Sequence, residues 1–335
     1  MTPSELLQLQ LILRIICSVS VTLNMSLIFC VLRYKHLQIP VNFLQVSLAC
    51  TDIFTGVSWG IGNVIMNDNA LCTVMGTFHQ FFLNASPTWI FVISLYCYLT
   101  VMHDESTARK KWYWLHAYGW GLPFLLTISM FIGQSILGRG PVIGDGTYDC
   151  WIGPAYPDLR LYLYYPTLWM HFILIVVIYI RVLTKIRSVV DALKVITESS
   201  HLSTEARPTE LLQACHTTND GKQQSIYNPE HRNSLSVRVT CILPERTNTL
   251  STFNKMMSLK TALIAISYIV SWTPATISRI IQFVPGTKAP YWLTLLAGIN
   301  FAFSSIWSSL VFFGFLFEGL WRNRHRKQRA LSSRM

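Results

Sequence analysis

The stretch LQLQLILRIICSVSVTLNMSLIFCVL, residues 7–32, carries a single charge, Arg14, and runs straight into Arg33 and Lys35. As a helix rising 1.5 Å per residue it is about 39 Å long, enough to cross a hydrocarbon core of about 30 Å. Six further stretches repeat the pattern: residues 41–66, 72–102, 113–137, 160–180, 257–284 and 290–317. Open strands find no partners in lipid for their edge N–H and C=O groups, and a β-barrel shows short alternating segments rather than long apolar runs. The reading is an all-α integral membrane protein, a bundle of seven transmembrane helices.

The cations orient that bundle. Of the 27 Lys and Arg residues, all but Arg14, Arg139, Arg160, Arg279 and Lys288 fall in the first, third and fifth connections and the C-terminal tail. Seven crossings place those four segments on one side. Basic loops stay in the cytoplasm, so the N-terminus is expected outside and the C-terminus inside. The first stretch lacks a basic leader and a small-residue cleavage pattern, and reads as a retained span rather than a signal peptide. A net charge of +11 would suggest nucleic acid in a soluble chain, but 51% hydrophobic and 13% charged residues describe a membrane protein. Topology accounts for the basic excess, and no nucleic-acid partner is expected.

One insertion interrupts the membrane domain. Spans one to five occupy residues 1–187, spans six and seven residues 257–317, and a basic tail residues 318–335. Residues 188–256 turn to Ser, Thr, Asn, Gln and Glu, a composition that buries too little apolar surface to order itself, so most of this cytoplasmic loop is expected to be disordered. Its start differs: Leu183, Ile186, Val190 and Leu193 recur at helical spacing among Arg181, Lys185, Arg187 and Lys194, which extends the fifth helix several turns beyond the membrane. That extension is either a docking face or a snorkelling stem. Residues 321–329 have the composition of a short basic helix lying on the inner leaflet.

Catalytic signatures are missing. There is no His-Glu-x-x-His zinc pattern, phosphate loop, Gly-x-Gly-x-x-Gly or Gly-x-Ser-x-Gly turn, and Asp52 is the one carboxylate well inside a span, where a protease needs two. No enzyme activity, metal or cofactor is expected. Of eight Cys, Cys72 at the outer start of the third span and Cys150 in the second outer loop share an oxidising side and are expected to pair.

Intramembrane polar residues are costly and face the bundle interior. Asp52 is placed to meet Asn300 or Asn24, as a switching knot or as a static hydrogen-bonded cluster. His79, Gln80 and Asn84 follow Cys72 by two to three turns and either line an outer cavity or pack in the core. In the sixth span Trp272 precedes Pro274, whose missing N–H and ring make a kink that serves as hinge or as static bend. Arg160, Arg279 and Lys288 are cations on the sparsely basic outer side, suited to an anionic ligand or to lipid headgroups. The outer loops are short, so a ligand is expected to be small or to bind within the bundle mouth.

Three segments carry a resemblance: Ser47-Leu48-Ala49-Cys50-Thr51-Asp52, the run from Cys72 through Gly76 and His79-Gln80 to Phe81, and Cys150-Trp151-Ile152 ahead of Arg160-Leu161-Tyr162. With the seven spans and the kinked sixth helix, they resemble the cyclic-AMP-receptor-like G protein-coupled receptors of fungi and amoebae, relatives of the secretin-like receptors. The likeness covers roughly residues 10–187 and 257–318. The rhodopsin-like Asp/Glu-Arg-Tyr is absent, since Met102-His103-Asp104 ends the third span, and no Asn-Pro-x-x-Tyr follows Asn300.

The resemblance implies a multi-pass plasma-membrane receptor, a small extracellular ligand such as a nutrient or cyclic nucleotide, and a heterotrimeric G protein inside. The ligand pocket is expected among His79, Gln80, Asn84, Trp151, Arg160, Trp272, Arg279 and Lys288. Asp52, Asn300, Trp272 and Pro274 are the expected switch and hinge. Arg109, Lys110, Lys111, Arg181, Lys185, Arg187, Lys194, Lys255 and Lys260 are expected to face the G protein and anionic lipid. Ser and Thr of the long loop, with Ser332 and Ser333, suit a regulatory kinase. A small-solute transporter or channel is the alternative, weakened by the lack of internal repeats and of a continuous polar path.

Overall fold

A computed structural model describes residues 3–61, 64–66, 68–146, 149–204, 256–278, 280–281 and 290–332. The helices are α1 (Pro3–Arg33), α2 (Pro40–Ile61), α3 (Asn69–Met102), α4 (Glu105–Lys110), α5 (Trp112–Leu137), α6 (Pro157–Tyr162), α7 (Tyr165–Thr204), α8 (Met256–Ser278) and α9 (Tyr291–Ser332). Seven of these correspond to the seven expected spans, and six are long and apolar enough to cross a membrane by length and composition. The exception is α2. It buries Asn42, Gln45, Thr51, Asp52 and Ser58, so its polar residues point into protein rather than lipid.

The chain divides into two compact units, Met1–Tyr179 with Lys260–Met335, and Ile180–Leu259. In the first, α1 packs on α2 and α9, α2 on α3, and α3 on α5. Helix α3 is the most enclosed, with 61% of its apolar window buried against 17% for α5. Its buried residues include Gly76, His79, Gln80, Asn84, Thr88 and Trp89, an inward face too polar for lipid. Asp68 starts α3 by accepting hydrogen bonds from the N–H groups of Ala70 and Leu71, which otherwise have no intrahelical partner. Close approach of α5 depends on Gly119: a Cβ there would fall 2.7 Å from the buried Trp89 ring. At its far end α5 stops at Gly138, whose φ of 60° is the left-handed conformation glycine adopts without cost.

The connection after α5 is not a plain loop. Strands β1 (Ile143–Asp145) and β2 (Cys150–Ile152) pair antiparallel in the register Ile143↔Ile152, Gly144↔Trp151 and Asp145↔Cys150, and both lie on α3.

The extension expected of the fifth span is present: α7 continues as helix through residues 188–204, beyond the Leu193 that the spacing reached, and is about 60 Å long. Likewise α9 runs without interruption through residue 318 to Ser332, so residues 321–329 continue a helix of 42 residues and form no separate surface helix. In the second unit, Arg181, Lys185 and Arg187 are exposed along α7. Lys194 is helical, while Lys255, Arg279, Lys288, Ser333 and residues 205–254 lie outside the described residues.

Candidate functional site

The β1–β2 hairpin is fastened to one face of α3. Cys72 and Cys150 form a disulfide with Cα atoms 5.3 Å apart. One turn further along α3, Gly76 leaves room for the hairpin backbone: a Cβ would stand 2.5 Å from Ile143 and 3.1 Å from the Cys150 carbonyl oxygen. Another turn on, His79 Nε2 lies 3.1 Å from Asp149 Oδ2, and its Nδ1 is 3.1 Å from Ser58 Oγ of α2. The His79–Asp149 contact is one of proximity; Asp149 Oδ2 makes no aligned hydrogen bond. Burial raises the Asp149 carboxyl to about 8, against the lowering influence of the Arg160 cation. Beside it, Trp151 Nε1–H donates to Gln80 Oε1 at 2.6 Å, with both side chains buried.

Sequence reasoning placed His79, Gln80 and Trp151 in one site, and the structure brings them together. Asn84 joins them one turn down, its Nδ2 donating to the Gln80 carbonyl. Arg160, expected to receive an anion, is half-buried against the hairpin. Its guanidinium donates to the Ile152 and Asp145 carbonyls and lies 5.5 Å from the Trp151 ring centroid, so it braces the hairpin.

From Trp151 a column of rings descends into the bundle. Trp151 meets Tyr164 at 5.9 Å between centroids, Tyr164 meets Trp272 at 5.2 Å, Trp272 meets Phe301 at 3.5 Å, and Phe301 stacks on Trp59 at 5.2 Å. Trp272 and Pro274 are buried in α8. The Tyr164 hydroxyl, Gln80 Nε2 and Asn84 Oδ1 are buried without a hydrogen-bond partner among the described residues. Unpaired polar atoms at such depth are expensive to keep.

At its foot the column lines a cavity of about 30 Å³, together with Asp52, Ser86, Leu83 and Ser305. That space suits about two waters, given the 10–15 Å³ each requires. Asp52 accepts hydrogen bonds from Ser86 Oγ and Ser308 Oγ, each at 3.2 Å. The expected partners are corrected: Asn24 instead accepts from Ser309 and donates to the Ser305 carbonyl, and Asn300 lies about two turns before Ser308 on α9. Ser86 and Ser308 were missed because serine in a span carries no signal of its own.

At the opposite end of α3, Lys110 and Lys111 are exposed, and Arg109 pairs with Glu105 at 2.7 Å on the surface. Lys260 departs from the expected docking rim. It is only 8% exposed, and its Nζ donates to Asn42 Oδ1 at 2.7 Å.

The model of the 7 transmembrane receptor (Secretin family) matches residues 6–218, nearly two thirds of the chain. The chain belongs to the secretin family of seven-transmembrane receptors and is a multi-pass membrane protein. Among curated relatives, it is 24% identical over 76 residues to the calcitonin receptor of Sus scrofa, covering 23% of this chain and 15% of that receptor. It is 26% identical over 104 residues to the diuretic hormone receptor of Acheta domesticus, covering 30% of this chain and 24% of that one. The matched segments thus span less than a quarter of either relative.

Proposed function

We propose that this chain is a plasma-membrane G protein-coupled receptor that relays an extracellular small-molecule signal, a nutrient or cyclic-nucleotide-like compound, to a heterotrimeric G protein and the cyclic AMP pathway. It acts as a transducer, not as an enzyme. The observation that carries this reading is the hairpin clamped over α3, in a chain of a receptor family. A disulfide-stapled lid whose Trp151 heads a ring column reaching Trp272 and Phe301 joins a binding mouth to the bundle interior.

The end bearing Cys72 and Cys150 faces outside, consistent with an oxidising compartment, and the end bearing Lys110 and Lys111 faces the cytoplasm. Gln80, Asn84, His79, Trp151 and Trp272 contact the ligand. Arg279 and Lys288 remain part of the proposed mouth. Arg109, Lys110 and Lys111, and separately Arg181, Lys185, Arg187, Lys194 and Lys255, offer cations to the G protein and anionic lipid. Pro274 is the hinge of α8, and the long loop is a kinase substrate. The resemblance of residues 72–81 and 150–152 to cyclic-AMP-receptor-like proteins supports the small-ligand subclass.

The test is guanine-nucleotide exchange on a purified G protein by the reconstituted chain, screened against nutrients, cyclic nucleotides and peptides. A small molecule that accelerates exchange is expected. A response to peptides alone would overturn the ligand assignment, and solute flux in proteoliposomes without G protein would overturn the receptor reading.

A further inference from the structure

Three of the buried polar atoms that lack a partner gather around one aromatic residue: Gln80 Nε2, Asn84 Oδ1 and the Tyr164 hydroxyl. Their residues are at most 2% exposed. Trp151 donates its Nε1–H to Gln80 Oε1 at 2.6 Å and meets the Tyr164 ring edge-on at 5.9 Å between centroids. Asn84 follows Gln80 by one turn of α3, its Nδ2 donating to the Gln80 carbonyl, which leaves its Oδ1 open to a donor.

Gln80 is thus half satisfied. Its Oε1 accepts, while its Nε2, the other half of the same planar amide, finds no acceptor. An indole can do no more, because it carries a single N–H and no acceptor beside it. A ring with a donor and an acceptor side by side, as in a lactam or an amidine, meets both halves, in the paired geometry by which a glutamine amide reads adenine. Buried polar atoms without partners are costly, so a ligand that satisfies them gains affinity by relieving that cost.

The surroundings also set charge and shape. Tyr164, and Trp272 5.2 Å beyond it, supply aromatic surface. The three unpaired groups are two amides and a phenol, all neutral. Arg160, whose guanidinium lies 5.5 Å from the Trp151 ring centroid, is engaged by the Ile152 and Asp145 carbonyls.

We propose that Gln80 is the recognition edge of a ligand subsite which Trp151 occupies as a built-in surrogate. The head of the ligand is an uncharged flat ring carrying a hydrogen-bond donor and acceptor side by side. It displaces the indole from Gln80 and pairs with both halves of the amide. The inference rests on the receptor reading for the consequence of binding, and deepens it by naming the chemistry of the part that enters the bundle. Any charged group on such a ligand stays towards the mouth.

The test measures binding to the purified full chain in lipid nanodiscs, without G protein, for two matched pairs. Pyridone is compared with N-methylpyridone, which lacks the N–H, and adenine with deazaadenine, in which C–H replaces the ring nitrogen beside the amine. The intact member of each pair is expected to bind about tenfold or more tightly, the scale of one buried hydrogen bond. Gln80→Leu should erase both differences. Trp151→Phe keeps a ring beside Tyr164 but no N–H, and should tighten binding of pyridone and adenine about tenfold. Absent or equal binding within either pair in wild type, which requires no variant to fold, overturns the subsite. Continued discrimination by Gln80→Leu, or weaker binding by Trp151→Phe, overturns it as well. Guanine-nucleotide exchange on the same preparations separates the two readings. Discriminating binding that leaves exchange unmoved upholds the subsite and counts against the receptor; exchange driven by a peptide or an anion, with no discrimination within the pairs, keeps the receptor and removes the subsite.

Discussion

Replacing Cys72 and Cys150 by Ser should loosen the hairpin by an amount the fold sets. The bridge closes 78 residues, for which the loop-entropy relation gives about 4.5 kcal/mol if the whole loop were free coil. It is not free, because α3 and α5 lie inside the loop and stay helical in lipid, where backbone groups have no other partner. The segment actually constrained runs from the end of α5 to Cys150 and is comparable to a 15-residue loop, worth about 3 kcal/mol. The scale is about 2–4 °C per kcal/mol for 150–250 residues and smaller for a longer chain, so in this chain of 335 residues the melting temperature should fall by at most about 6–12 °C. Fluorescence melting of the detergent-purified protein, with dithiothreitol added in parallel, measures this. The reductant should shift wild type by the same amount and leave the double Ser variant unmoved. A shift under about 2 °C would refute the reasoning, since the remaining contacts would then hold the hairpin without the covalent bond.

The Asp149 carboxyl is raised to about 8, above its ordinary value of 3.8, so between those values the folded state holds a proton the unfolded state has lost. Stability should therefore fall as pH rises from about 4 to 8, and Asp149→Asn should flatten a melting-temperature series across that range; an unchanged slope defeats the assignment. Tyr164→Phe removes a buried hydroxyl that has no partner, so the ligand-free protein should melt no lower than wild type. Melting several degrees lower would mean that the hydroxyl is satisfied by water. Pro274→Ala restores a backbone N–H within α8 and should change basal or ligand-driven exchange at equal surface expression, whereas unchanged exchange removes the hinge.

The seven helices were readable because lipid enforces length and apolarity, and the face of α3 was readable because the helical period is fixed. His79 lies seven residues from Cys72, two turns on the same side, so pairing Cys72 with Cys150 carries Asp149 towards His79. That inference was available, yet Asp149 read only as a loop residue. The hairpin was hidden by its size, since three-residue strands leave no period to detect. Asp52 shows a different limit. Asn300 has the right chemistry, but Ser308 is eight residues and about 12 Å further along α9, and the register of α9 against α2 is written in no local pattern. A count of charge by loop puts Lys260 on the rim and does not register Asn42 2.7 Å away.

The polar residues inside this bundle occupy three levels, and each level joins helices that the apolar pattern alone would leave free to slide. Near the disulfide, His79 joins α3 to Ser58 of α2 and to the hairpin. In the middle, Asp52 joins α2 to Ser86 of α3 and Ser308 of α9. At the far end, Lys260 of α8 joins Asn42 of α2 and Phe312 of α9. Helix α2 takes part in all three, which explains why it is the span too polar to qualify by hydropathy. Lipid tails give little drive for helix association, so hydrogen bonds and close packing must set helix register. The first level fixes the lid and the second the middle of α2, α3 and α9. The third joins α8 to α2 and α9 through a single buried lysine, its Nζ on the Asn42 amide and beside the Phe312 ring.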